Sequence, residues 1–111
     1  MSNPSKAKGT AAETAVVNFF RRWWPQVERR ALAGNADKGD LTGIPGWTAE
    51  VKACKRIELA AWVDELEAEI ANAGADTGVL IIKRRGTTDV GRWYAVLPVA
   101  RYVTLLKETD R

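Results

Sequence analysis

Histidine is absent from this chain of 111 residues, and cysteine occurs once, as Cys54. Those absences close several chemistries. Without an imidazole there is no Ser-His-Asp or Cys-His relay and no histidine-rich metal site. With one thiol there is no internal disulfide and no cysteine-cluster zinc site. Long apolar runs are missing too, and nothing approaches the ~18 residues of a membrane-spanning helix. The opening stretch MSNPSKAKGTAAE carries lysines with no apolar segment behind them, so it does not read as a signal peptide. The expected location is the cytoplasm. Any catalysis must draw on carboxylates, lysine, tyrosine or a bound metal.

What is present is an ordinary globular composition with an uneven distribution of charge. Seventeen Lys and Arg face fourteen Asp and Glu, a net charge of +3. Five acids gather in one segment, as Glu58, Asp64, Glu65, Glu67 and Glu69. The remainder is strongly basic, with pairs and triplets at Arg21-Arg22, Arg29-Arg30, Lys55-Arg56 and Lys83-Arg84-Arg85. One acidic solvated face and basic surface elsewhere suit a polyanionic partner such as nucleic acid.

The patterning predicts one α/β domain over residues 9–111, with a central mixed sheet flanked by helices and a flexible basic tail over residues 1–8. Val16, Val17, Phe20 and Trp24 recur at helical spacing after Gly9-Thr10, and Pro25 ends that helix. Val27 to Leu32 reads as a short strand, and Ala33-Gly34-Asn35 as a turn. Gly43, Pro45 and Gly46 predict a hairpin pairing roughly 38–43 with 47–53. Between Ile57 and Ala73, the residues Leu59, Trp62, Val63, Leu66 and Ile70 form a helical apolar stripe with acids on the other face. GVLIIKRR (78–85) reads as a central strand buried on both sides, RWYAVLP (92–98) as a further strand, and 98–107 as a last helix.

Within the hairpin, Glu50 and Lys52 are two residues apart and share one face of the strand. A suitable register brings the Asp40 carboxylate beside Glu50. Adjacent carboxylates repel unless a proton or a cation sits between them, and oxygen-ligand sites for Mg²⁺ use one or two carboxylates. A neighbouring lysine can stabilise phosphate charge. Charged residues on a wet strand face are also common, and Asp40 after Gly39 also fits simple turn chemistry. Glu13 has two readings as well. Thr10-x-x-Glu13 matches a capping box, while the same glutamate on the helix face toward the hairpin is a third carboxylate. Trp47 at the hairpin turn can stack on a base or pack at the edge of the core. Cys54, with no histidine partner, reads as packing.

Gly9-Thr10-x-x-Glu13 on a first helix, Gly39-Asp40, then Glu50-Val51-Lys52, a helix and an apolar strand together resemble the PD-(D/E)XK nuclease superfamily. Within it, the small Holliday junction resolvase-like nucleases of archaea and bacteriophages look closest. The resemblance covers roughly residues 8 to 85 and implies a restriction-endonuclease-like core. It also implies a homodimer that cuts branched DNA with Mg²⁺, for which Mn²⁺ can substitute. Asp40 and Glu50 would hold the metal with the Val51 carbonyl, Lys52 would position or activate water, and Glu13 would be a further acid beside the metal. Arg29 or Arg30 would hold a phosphate, and Lys55, Arg56, Lys83, Arg84 and Arg85 would follow the DNA backbone. Gly39 stands where the superfamily name has proline, and Asp37 is a second candidate for the metal acid. The alternatives are a repair or restriction-like nuclease on the same fold, a nucleic-acid-binding module without turnover, and a plain interaction domain.

Overall fold

The computed structural model describes residues 4–31, 34 and 36–110. Among the described residues, five strands form one mixed sheet in the order β1-β2-β3-β4-β5, flanked by three helices in a single α/β domain. The strands are β1 (Glu28–Arg29), β2 (Leu41–Ile44), β3 (Trp47–Lys52), β4 (Thr77–Ile82) and β5 (Tyr94–Val96). The helices are α1 (Pro4–Phe20), α2 (Leu59–Ala73) and α3 (Val99–Thr109). Only β3 and β4 run parallel, and the α2 crossover joins them. The other neighbours are antiparallel. Among the described residues, no helix is long and apolar enough to cross a membrane.

Four local expectations change. Helix α1 starts at Pro4, whose fixed φ and missing N–H suit a first helical position. Residues 4–8 are therefore helical rather than a tail, while residues 1–3 lie outside the described residues. Thr10 sits inside the helix, so it cannot cap it, and the capping-box reading of Glu13 falls. The strand expected over 27–32 is reduced to Glu28–Arg29; Leu32, with Ala33 and Asn35 of the expected turn, lies outside the described residues. The hairpin is present but closes later, with Ile44 opposite Trp47 around Pro45-Gly46. Proline at the first turn position and a glycine at φ 79° at the second are the type II combination.

Strand alternation divides the interior into two cores. Ala49, Val51 and Ile81 join Val16 and Val17 of α1, with Val27, Leu41 and Trp93, on one side of the sheet. Leu80 and Ile82 join Trp62, Leu66 and Ile70 of α2 on the other. Burying one such aliphatic side chain stabilises by about 1.5–3 kcal/mol. Helix α2 ends on Gly74 in the left-handed conformation, φ 62°. Helix α3 is tied to α2 by the Arg101–Glu67 ion pair, whose guanidinium holds the Glu67 carboxyl below its ordinary range. One side of α3, Val99, Tyr102, Val103 and Leu106, stays exposed.

Candidate metal centre

Because β3 alternates, Thr48, Glu50 and Lys52 project away from α1 and toward α2. There Glu50 is 4% exposed and Glu69, from α2, is 1% exposed. Among the described residues, neither oxygen of Glu69 has a hydrogen-bond donor, and Glu50 Oε2 also lacks one. Asp40 enters from the residue before β2. Its backbone N–H donates to the Ala49 carbonyl at 2.8 Å, and its Oδ2 accepts from the Val51 amide at 2.7 Å. The Asp40 and Glu50 carboxylates lie within hydrogen-bonding reach of each other, and so do those of Glu50 and Glu69. With all three ionised, no donor stands between them, so a proton or a cation must.

The electrostatics follow from that crowding. Burial, then the Glu50 carboxylate beside it, pushes Asp40 up to about 8. Burial, then Glu69, pushes Glu50 up to about 8. Burial leads again at Glu69, raised to about 7 with Asp37, Glu65 and Asp40 adding to it. The Lys52 Nζ sits 3.8 Å from Glu50 Oε1, 3.2 Å from Glu65 Oε2 and 5.8 Å from the centre of the Trp62 ring. Burial alone would lower its pKa, but the Glu50 and Glu65 carboxylates outweigh it, and the ammonium is held above its ordinary value.

One oxygen each from Asp37, Glu50, Glu65 and Glu69 converges within 4.8 Å of the others, so these acids can hold a metal ion. The loop that supplies Asp37 is pinned from both sides. Asn72 of α2 donates to the Asp37 carbonyl at 2.8 Å, and the buried Thr48 hydroxyl donates to the Lys38 carbonyl. Gly39, at φ 94°, lets that loop turn. A β-carbon there would come 2.5 Å from Thr48 Oγ1 and 3.5 Å from Glu69 Oε2. Proline, confined to negative φ, cannot replace it, which explains the Gly-Asp pair.

The structure thus brings Asp40, Glu50 and Lys52 together. Glu13 lies on the α1 side, half-buried, with Oε1 3.4 Å from Arg29 Nε. Burial, then the Asp40 charge, raises its pKa. Val51 meets the site through its amide, while its side chain belongs to the α1 core. Lys55, Arg56, Lys83, Arg84 and Arg85 are exposed just past the ends of β3 and β4, at the sheet end that carries Lys52; the Lys83 amide donates to the Lys52 carbonyl at 2.9 Å. Arg29 ends β1 and Arg30 follows it at the same sheet end, the Arg30 amide donating to the Asp40 carbonyl. Trp47 is at the opposite end of β3, half-buried beside α3, far from the acids.

One expectation is overturned outright. The α2 acids do not all form a solvated face: Glu69 is buried, Glu65 pairs with Lys52, and Glu67 pairs with Arg101. The signal was available. Glu69 lies seven residues after Trp62, two helical turns along the apolar stripe, and Glu65 is one turn before Glu69. Comparison of the chain with family models, with curated proteins and with solved structures finds no match.

Proposed function

We propose that this protein is a metal-dependent DNA endonuclease that hydrolyses phosphodiester bonds, with four-way junctions as the preferred substrate. The observation that supports it most directly is the meeting of Asp40, Glu50 and Lys52 at one sheet end, in the chain order of the nuclease superfamily that the sequence resembles. The unpartnered Glu50 Oε2 and the crowded Asp40 carboxylate fit a hard cation, Mg²⁺ with Mn²⁺ as substitute. When bound there, such an ion polarises a phosphate and makes hydroxide available near neutral pH. The residues of the chain do the rest. Asp40 is oriented by the Val51 amide, and Glu50 stands between Asp40 and Glu69. Lys52, kept protonated by its acidic neighbours, offers a positive charge to phosphate rather than acting as a base. The exposed cations beyond β3 and β4 supply sequence-independent attraction to a DNA backbone. The work belongs in the cytoplasm, where such DNA is met.

A synthetic four-way junction and a matched linear duplex, each with Mg²⁺ and with EDTA, test this reading. Paired nicks on the junction in Mg²⁺ are expected, and Asp40→Asn, Glu50→Gln and Lys52→Ala should remove them while junction binding persists. Equal cutting of both substrates makes it a general nuclease. Binding without cleavage in any divalent metal sinks the enzyme reading and leaves a nucleic-acid-binding module.

Paired nicks call for a two-fold dimer. The exposed side of α3 formed by Val99, Tyr102, Val103 and Leu106 is the surface this reading assigns to a second copy. Sedimentation should show a dimer for the wild type and a monomer for Val103→Asp. A wild-type monomer at micromolar concentration removes the dimer from the reading.

A further inference from the structure

We propose that the α2 side of the acid cluster is a second cation site, built from Asp37, Glu65 and Glu69 and joined to the Asp40–Glu50 site through Glu50 as a shared ligand. The inference rests on the preceding reading only for the first site. Its own support is the state of Glu69. This carboxylate is 1% exposed, neither of its oxygens is hydrogen-bonded, and no cation pairs with it among the described residues. A buried, unpartnered carboxylate is too costly to retain without compensation. The Lys52 ammonium is directed to Glu65 and Glu50 instead.

The other ligands arrive from different elements. Asp37 comes from the loop before β2, Glu50 from β3, Glu65 and Glu69 from α2, and their oxygens converge within 4.8 Å. Gly39 keeps the space beside Glu69 Oε2 clear, since any β-carbon there would fill it. Asp40 is not one of the four; it touches Glu50 and is oriented by the Val51 amide. Once divalent cations replace the protons of these acids, charge balance favours two ions over one. Against Asp37, Asp40, Glu50, Glu65 and Glu69, one ammonium pairs with the cluster among the described residues, that of Lys52. With the acids ionised, one divalent cation leaves two negative charges uncompensated, and two leave none. The donors are all carboxylate oxygens, which select hard cations of the Mg²⁺, Mn²⁺ and Ca²⁺ class over zinc or copper.

The test counts ions. Metal-free protein is titrated with Mn²⁺ by calorimetry, and free Mn²⁺ is followed in parallel by its paramagnetic resonance signal. The wild type should bind two equivalents per chain. Glu69→Gln, which keeps the shape and removes the charge, should bind one, and Asp40→Asn should keep the α2-side ion. Glu65→Gln, at a half-exposed position with little bearing on folding, should weaken one equivalent by about tenfold or more and leave the other unchanged. This second variant decides the matter if Glu69→Gln does not fold. A single equivalent in the wild type overturns the proposal. So does full wild-type binding in Glu65→Gln together with Glu69→Gln. Two equivalents in a protein that cuts no DNA uphold the second site and remove the nuclease reading. Junction cleavage with one equivalent does the reverse.

Discussion

The two faces of β3 carry opposite physics within six residues. Toward α1, Ala49 and Val51 close a dry core with Val16, Val17, Leu41 and Ile81. Toward α2, Glu50 and Lys52 meet Glu65 and Glu69 beside a second apolar cluster of Trp62, Leu66, Ile70, Leu80 and Ile82. The first face is stabilised by removing apolar area from water, which asks nothing of charge or pH. The second buries carboxylates against carboxylates and is stable only with protons or cations between them. Both faces pack apolar side chains; only the α2 face also stores a demand for a ligand.

Adjacent residues give the sharpest way to break the comparison. Glu50→Gln should lower junction cleavage by about 100-fold or more while leaving metal-free melting unchanged or raised, because it removes a buried charge. Val51→Ala, one residue along and facing the other way, should cost about 2 kcal/mol and roughly 10 °C of melting temperature, yet leave cleavage near the wild-type rate at low temperature. Thermal melts and junction assays on both variants check this. If Val51→Ala kills cleavage in a folded protein, the division of labour between the faces is wrong.

A smaller effect separates the faces by pH. In EDTA, Asp40 and Glu50 at about 8 and Glu69 at about 7 lie above their unfolded values, so the folded chain binds more protons between about pH 4.5 and 8. Stability must therefore fall as pH rises through that window, by about 1.4 kcal/mol per pH unit for each proton released. Adding Mn²⁺ should flatten the slope, since the cation replaces the protons. Melting curves at pH 5, 6.5 and 8, with EDTA and with Mn²⁺, measure it. A flat profile in EDTA means the acids do not crowd as described.

Much of this was readable in advance. Pro45-Gly46 announces the hairpin, period-two spacing places Glu50 and Lys52 on one face, and the stripe from Trp62 to Ile70 defines α2. Two positions depart from the local pattern for physical reasons. Thr10-x-x-Glu13 looks like a cap only if a helix begins there, and the helix begins at Pro4. Glu69 sits on the edge of an apolar stripe, where a glutamate can snorkel outward or turn in. It turns in toward Glu50 and the space left by Gly39, on facing elements far from it in sequence.

Residue type and the periods of two and 3.6 set most of the elements, the absence of histidine chemistry and the shared face of Glu50 and Lys52. Only the tertiary structure decided that α2 lies over that face and points Glu65 and Glu69 into it, because α2 is joined to β3 by a crossover whose packing no local pattern records. That packing turns two acids of an apparently solvated helix into neighbours of Asp37, Asp40 and Glu50.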